Sequence, residues 1–301
     1  MSARRTHVGA RPVMVGVDGS PESQTAALFG AFTAKRRHLP LLLVYGYVDA
    51  IAHLAYGWAQ QRELTTAVRD DARQMLADVE LRAHAAHPGL SVRSTLVAGT
   101  GASALVELSR TASLVVVGAR GRGGFAGLHL GSVGAQVVTH AHAPVVVVRP
   151  AVADLTTAPV VVGVDGSPGA DLALGFAFEE AATRGTALLA LYAWWMLPRH
   201  NLGPTSPRHY DPAQAADEAQ RMLAEAVAGW SEKYPDVRVD RVARHHMDPA
   251  VALVEASHTA AMVVVGTRGR GGFASMLLGS VGRSVVTHAQ CPVAVVREIE
   301  E

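Results

Sequence analysis

The chain contains one stretch twice: LVVVGARGRGGFAGLHLGSVGAQVVTHAHAPVVVVR at residues 114–149 and MVVVGTRGRGGFASMLLGSVGRSVVTHAQCPVAVVR at residues 262–297, identical at 26 of 36 positions. A repeat this long marks one structural unit per copy. Each copy opens on a β-branched apolar run, Val115 to Val117 or Val263 to Val265, the pattern of a buried strand closed by a glycine. Then come Gly118-x-x-Gly121, nine residues and Gly131-Ser132, matched by Gly266-x-x-Gly269, nine residues and Gly279-Ser280. The residues after each serine carry apolar positions at helical spacing, and the serine is placed to cap the first turn. This layout points to an anion. Glycines let the backbone approach a ligand closely, and the free N–H groups of a helix start favour negative charge. Arg120 and Arg122, with Arg268 and Arg270, put cations beside the same loops, next to Gly123 and Gly271.

The rest of the chain fits two units of this kind. Its 301 residues suffice for two domains of ordinary size, expected at 1–150 and 151–301. With 49% hydrophobic and 18% charged residues and a formal net charge of +1, the composition is that of a globular protein without a field for nucleic acid or membrane. The basic start, MSARRTHVGAR, lacks the apolar run of a signal peptide, and no apolar stretch reaches the ~18 residues of a membrane span, so a cytoplasmic location is expected. The single cysteine, Cys291, excludes an internal disulfide and reads as packing at the mouth of a strand.

In the first half, strands are expected at 13–17, 41–45, 91–97 and 143–148 around the duplicated strand, and helices at 22–37, 60–86 and 102–111. Strands alternating with helices imply a mostly parallel, doubly wound sheet with helices on both faces. Residues 150–158 read as a linker. The pattern then restarts, PVVVGVDGSP at 159–168 repeating PVMVGVDGSP at 12–21. The halves diverge in the middle, where 194–212 (WWMLPRHNLGPTSPRHYDP) is rich in aromatics and proline. Before the third helix, Gly99-Thr100-Gly101 faces Met247-Asp248-Pro249, and both forms suit a helix start.

In such a sheet ligands sit beyond the carboxyl ends of the strands where the winding reverses. Asp18 and the Gly118 loop then converge on one crevice, as do Asp165 and the Gly266 loop. A carboxylate facing a phosphate cradle can accept from sugar hydroxyls, which suggests a nucleotide. Asp-Gly-Ser-Pro is also good turn chemistry, so turn formation is the competing reading.

These residues resemble the universal stress protein family in its ATP-binding, tandem-domain form. The family's signature, G-x2-G-x9-G-[S/T], is matched in both halves, along with the aspartate after the first strand. The resemblance implies two Rossmann-like (adenine nucleotide α-hydrolase-like) α/β domains, each a five-stranded parallel sheet with helices on both faces, and one adenine nucleotide per domain. It puts phosphates on the backbone of Gly121, Gly131, Ser132 and Val133, and of Gly269, Gly279, Ser280 and Val281. By the same resemblance Gly118 and Gly266 lie beside the ribose, and Asp18 and Asp165 hold the ribose side. The adenine meets backbone near Gly46 and Ala193, over a floor containing Gly16 and Gly163. It also implies ATP with magnesium, an internal pseudo-dimer through the last strands, and a homodimer of chains.

Other motifs are weaker. Gly121-Arg-Gly123-Gly-Phe-Ala126 can be forced into a dinucleotide fingerprint, but it follows the wrong strand and lacks the later acidic residue. P-loop and Gly-x-Ser-x-Gly patterns are missing. His140 and His288 suit helix C-termini, and His245-His246 a strand end. No metal ligands or catalytic residues are assigned. The loops offer arginines and amides without the carboxylate pair that fast phosphoryl transfer needs. The expectation is an ATP-binding regulator or sensor in stress response with little or no turnover. The alternatives are a slow ATPase or nucleotide-transfer enzyme on the same fold, and a docking protein that uses 194–212 and holds no nucleotide.

Overall fold

The computed structural model describes residues 10–47, 58–123, 130–149, 157–195, 212–270 and 277–297, with backbone alone at 58–65 and 212. Gly271, most of the linker and 196–211 therefore lie outside the described residues. The chain forms two compact units that divide between Pro150 and Ala151.

The first unit runs β1 (Val13–Gly16), α1 (Pro21–Arg36), β2 (Leu41–Tyr47), α2 (Trp58–Ala86), β3 (Val92–Ala98), α3 (Gly101–Leu108), β4 (Leu114–Gly118), α4 (Ser132–His140) and β5 (Val145–Val148). The second repeats it as β6 (Val160–Gly163), α5 (Pro168–Arg184), β7 (Leu188–Trp194), α6 (Pro212–Lys233), β8 (Val239–His245), α7 (Pro249–Ala256), β9 (Met262–Gly266), α8 (Ser280–His288) and β10 (Val293–Val296). The strand order is β3-β2-β1-β4-β5 in one unit and β8-β7-β6-β9-β10 in the other. Every pairing inside each unit is parallel, from Val13 beside Leu41 and Leu114 to Val160 beside Leu188 and Met262.

This order follows from right-handed crossovers. Two successive βαβ steps outward from β1 place α1 and α2 together on one face; the return to β4 places α3 and α4 on the other. The valines of β1, β4 and β5 are buried because helices cover both faces, which is why these strands read as unbroken apolar runs. The winding reverses between β1 and β4, and between β6 and β9, so their carboxyl ends open a crevice in each unit.

Element boundaries follow their caps. Ser20 Oγ accepts from Ser23 N–H at 3.2 Å and Pro21 takes the first helical position, so α1 begins one residue earlier than its apolar pattern suggests. Thr100 Oγ1 accepts from Ser103 N–H at 3.1 Å, and Asp248 Oδ1 from Ala250 N–H at 2.8 Å, so the two divergent turns start equivalent helices. Both helices end in a short 3-10 turn pinned by a fully buried serine. Ser109 Oγ accepts from His142 N–H at 2.8 Å, and Ser257 Oγ from Gln290 N–H at 2.9 Å.

Helical glycines test this packing. A Cβ at Gly30 would overlap Val15 Cγ2 beneath α1, whereas one at Gly229 in α6 would meet nothing within 4 Å. Gly30→Ala is expected to destabilise by about 1–3 kcal/mol, and Gly229→Ala to stabilise by about 0.5–1 kcal/mol through helix propensity. Urea unfolding midpoints check both; a neutral Gly30→Ala would contradict the close seating of α1 on β1.

Candidate functional site

Each crevice is built around a carboxylate that reaches across two connections. Asp18 Oδ1 accepts from Ser20 N–H at 2.9 Å and from its hydroxyl at 2.6 Å, while Oδ2 accepts from Arg122 N–H at 2.9 Å. The second unit repeats this: Asp165 Oδ1 accepts from Ser167 N–H at 3.0 Å and its hydroxyl at 2.6 Å, and Oδ2 from Arg270 N–H at 3.0 Å. The turn-forming reading of the aspartates is thus seen directly, and the same carboxylates face the glycine loops, so each Asp and its loop converge on one crevice. The turn needs glycine at Gly19 and Gly166, where φ is +84° and +75°.

The motif glycines divide into two kinds. At the first two positions the fold itself demands glycine. A Cβ on Gly118 would sit 2.9 Å from the backbone of Glu22, and one on Gly266 2.6 Å from Gly169 O. A Cβ on Gly121 would come 2.5 Å from Asp18 Oδ2, and Gly269 stands in the same relation to Asp165. The third glycine differs. Gly131 (φ −74°, ψ 160°) and Gly279 (φ −68°, ψ 162°) have ordinary extended backbone, and the nearest atoms to a Cβ there would be Ala119 O and Thr267 O, both at 3.5 Å. Neither conformation nor packing requires glycine at these positions. Their missing side chains leave open the space between the loop and the following helix.

The expected serine caps are a correction. Gly131 and Gly279 are the N-caps, Ser132 and Ser280 are the first helical residues, and no side chain caps either helix. Gly131 N–H donates back to Ala119 O at 2.7 Å, and Gly279 N–H to Thr267 O at 2.8 Å, which folds each loop against its helix start. The first-turn N–H groups of α4 and α8 have no intrahelical acceptor and face the same space.

In the second unit the cleft has a volume of about 600 Å3 and is lined by Gly163, Asp165, Ala193, Gly266, Arg268, Gly269, Arg270, Gly279, Ser280 and Val281. Every described candidate of that half therefore lines one cavity. Trp195, Pro249 and Leu253 line it too. Sequence reasoning missed these three, since nothing in their local pattern separates them from packing residues. Gly163 is explained by Leu253, whose Cδ1 lies 3.0 Å from where a Cβ would be; in the first half Leu105 Cδ1 stands 2.6 Å from the same point on Gly16. In the first unit Asp18, Gly121 and Arg122 come together, and Gly131 lies against Arg120 and Gly121. Gly46 is packed on the turn before α3, where a Cβ would meet Gly101 N at 2.7 Å, and Gly101 in turn neighbours Val133. Gly123 makes no close contact, a Cβ there meeting nothing within 4 Å.

Arg120 Nη2 pairs with Glu22 Oε1 at 2.9 Å. Arg270 folds over Gly166, its Nη2 3.6 Å from a Cβ position there. The histidines do local work: His288 Nδ1 lies 2.9 Å from Ser284 O, and His246 Nδ1 accepts from Asp248 N–H at 3.0 Å. The His245 ring packs on Trp194 at 4.6 Å, and Cys291 is buried. Among the described residues no three His, Cys, Asp or Glu side chains gather into a metal-binding group, and no helix is long and apolar enough to cross a membrane.

Burial pushes the Asp18 carboxyl up, but the Ser20 hydroxyl, the Ser20 and Arg122 N–H groups and the Ser23 hydroxyl outweigh it and hold the group below its ordinary 3.8. A depressed native value contributes stability above pH 3.8, lost as pH falls through the native value. Asp18→Ala is therefore expected to cost about 1–3 kcal/mol at pH 7. That difference should shrink in urea titrations taken from pH 5 towards pH 3; one that stays constant over this range would exclude the charged clamp as its source.

Comparison with known proteins agrees with the architecture. The sequence pattern of the universal stress protein family matches twice, at residues 9–149 and 157–297. Universal stress protein Rv1996 of Mycobacterium tuberculosis is 40% identical over 318 residues, covering 99% of this chain and 97% of that protein. Universal stress protein Rv2005c of the same organism is 41% identical over 297 residues, covering 95% and 97%. A crystal structure of a universal stress protein from Archaeoglobus fulgidus superposes with a TM-score of 0.71 at 20% identity, covering 96% of this chain and 98% of that one, and shows the same fold. Two family matches that together span nearly the whole chain, on two units of the same strand order, make this chain a tandem-domain member of the universal stress protein family.

Proposed function

We propose that each half binds an adenine nucleotide, ATP with its magnesium, and that occupancy rather than turnover is the output: a nucleotide-dependent regulator in stress response. The observation that carries this reading is the third motif glycine, Gly131 or Gly279, which the fold does not need and whose missing side chain leaves the loop open beside unclaimed helix N–H groups. In the second half, the N–H groups of Ser280 and Val281 and the loop after Gly266 take the phosphates, with Arg268 and Arg270 adding charge. The apolar walls at Leu191, Leu253 and Val265 take the base, and about 600 Å3 is an ordinary size for a small-ligand site. Asp165 Oδ1 already accepts two donors, but Oδ2 accepts one and retains a lone pair for a ribose hydroxyl.

Asp165 is the one carboxylate among the described lining residues, and its hydrogen bonds tie it to the loop. That supports binding without rapid turnover, which requires a base or a water-positioning group. The reading extends to a cytoplasmic homodimer that passes its nucleotide state to a protein partner.

Thermal melting tests it. At ligand 100-fold above its dissociation constant the folded state gains ~2.7 kcal/mol, a rise of several degrees for domains of this size. Mg-ATP should raise the melting temperature, and the Gly131→Val/Gly279→Val double variant should melt like the unliganded protein with or without ATP. No rise with Mg-ATP, cyclic AMP or NAD, in protein free of co-purified nucleotide, overturns the reading.

A further inference from the structure

The two crevices carry the same arginine after the first motif glycine, but its surroundings differ. In the first half Arg120 is held by Glu22, whose side chain is only 16% exposed while that of Arg120 is 47% exposed. Glu22 stands in the first turn of α1, its backbone against Gly118, so the carboxylate reaches over the start of the loop. In the second half the aligned position is Gly169. A Cβ there would lie 2.7 Å from Arg268 O, so no other side chain fits. Arg268 lines the cleft and has no ion-pair partner among the described residues.

We propose that the two halves are non-equivalent nucleotide sites. The second, with Arg268 unclaimed, takes the triphosphate. The first, where Glu22 is paired with Arg120, binds the triphosphate more weakly and gains less from added phosphate charge. The inference rests on the nucleotide reading above and adds which half answers to which charge. A glutamate at the start of α1 also favours its helix dipole, so the residue has a fold-compatible reason to stay where it discriminates. The effect of one misplaced unit charge at a partly exposed site corresponds to about tenfold in affinity.

One-site proteins separate the halves. Gly131→Val leaves the second site and Gly279→Val the first; the corresponding alanine variants, whose single methyl has room, replace any valine variant that fails to fold. Calorimetric titration with Mg-ATP should show the second site binding about tenfold tighter than the first, with AMP showing less than a threefold difference. Glu22→Gln in the first-site protein should strengthen Mg-ATP about tenfold and leave AMP within threefold. Arg268→Gln in the second-site protein should weaken Mg-ATP by a similar factor. Equal Mg-ATP affinities in the two one-site proteins, or a Glu22→Gln variant without effect on ATP, overturn the non-equivalence while leaving nucleotide binding intact. A wild-type protein that binds neither nucleotide removes the nucleotide reading itself.

Discussion

The crevice in each half depends on one carboxylate bridging two connections distant in sequence. Asp18 belongs to the turn after β1, and Arg122, whose N–H it accepts, to the loop after β4. Parallel pairing of β1 with β4 brings these connections side by side, but pairing alone leaves the loop free to swing. The charged acceptor fixes it, and the repeat of the same contacts at Asp165 shows that the device belongs to the unit rather than to one loop's history. A charge-assisted hydrogen bond to a backbone N–H is among the stronger single contacts available at a half-exposed site. A loop held this way before any ligand arrives loses less freedom when one binds.

The clamp also explains which glycines are structural. Gly121 and Gly269 sit so close to the aspartate that a methyl group would displace it, and Gly118 and Gly266 pass against the first turn of α1 or α5. These positions would be glycine in a protein that bound nothing. The argument for a ligand narrows to Gly131 and Gly279, where the fold is indifferent.

Much of this architecture was legible from the chain because its signals are local and duplicated. The β-branched runs, the Asp-Gly-Ser-Pro turns and the Gly-rich loops each announce a strand end or a helix start, and their recurrence sets the domain pattern. The sites where reading failed share a physical reason. Ser132 and Ser280 looked like caps because a serine before a helical run usually is one; whether it caps or begins the helix depends on backbone angles that no side-chain pattern records. Glu22 is an unremarkable first-turn acid until β1 and β4 become neighbours and bring Arg120 within 2.9 Å. Trp195, Pro249 and Leu253 wall the cleft only because β7 ends and α7 begins beside it. Long-range pairing and cavity walls are properties of the folded chain.

The indifference of the fold at Gly131 and Gly279 bears on how such a protein can change over time. Substitutions at Gly118 or Gly121 disturb packing, so they expose themselves through loss of the folded chain. A single-codon change from glycine to alanine at Gly131 or Gly279 meets no close neighbour and leaves the backbone in comfortable angles. Either crevice can therefore be silenced without any folding penalty for quality control to detect. If the proposed sites hold, a duplicated chain of this design stands one mutation away from a one-site protein that folds as before.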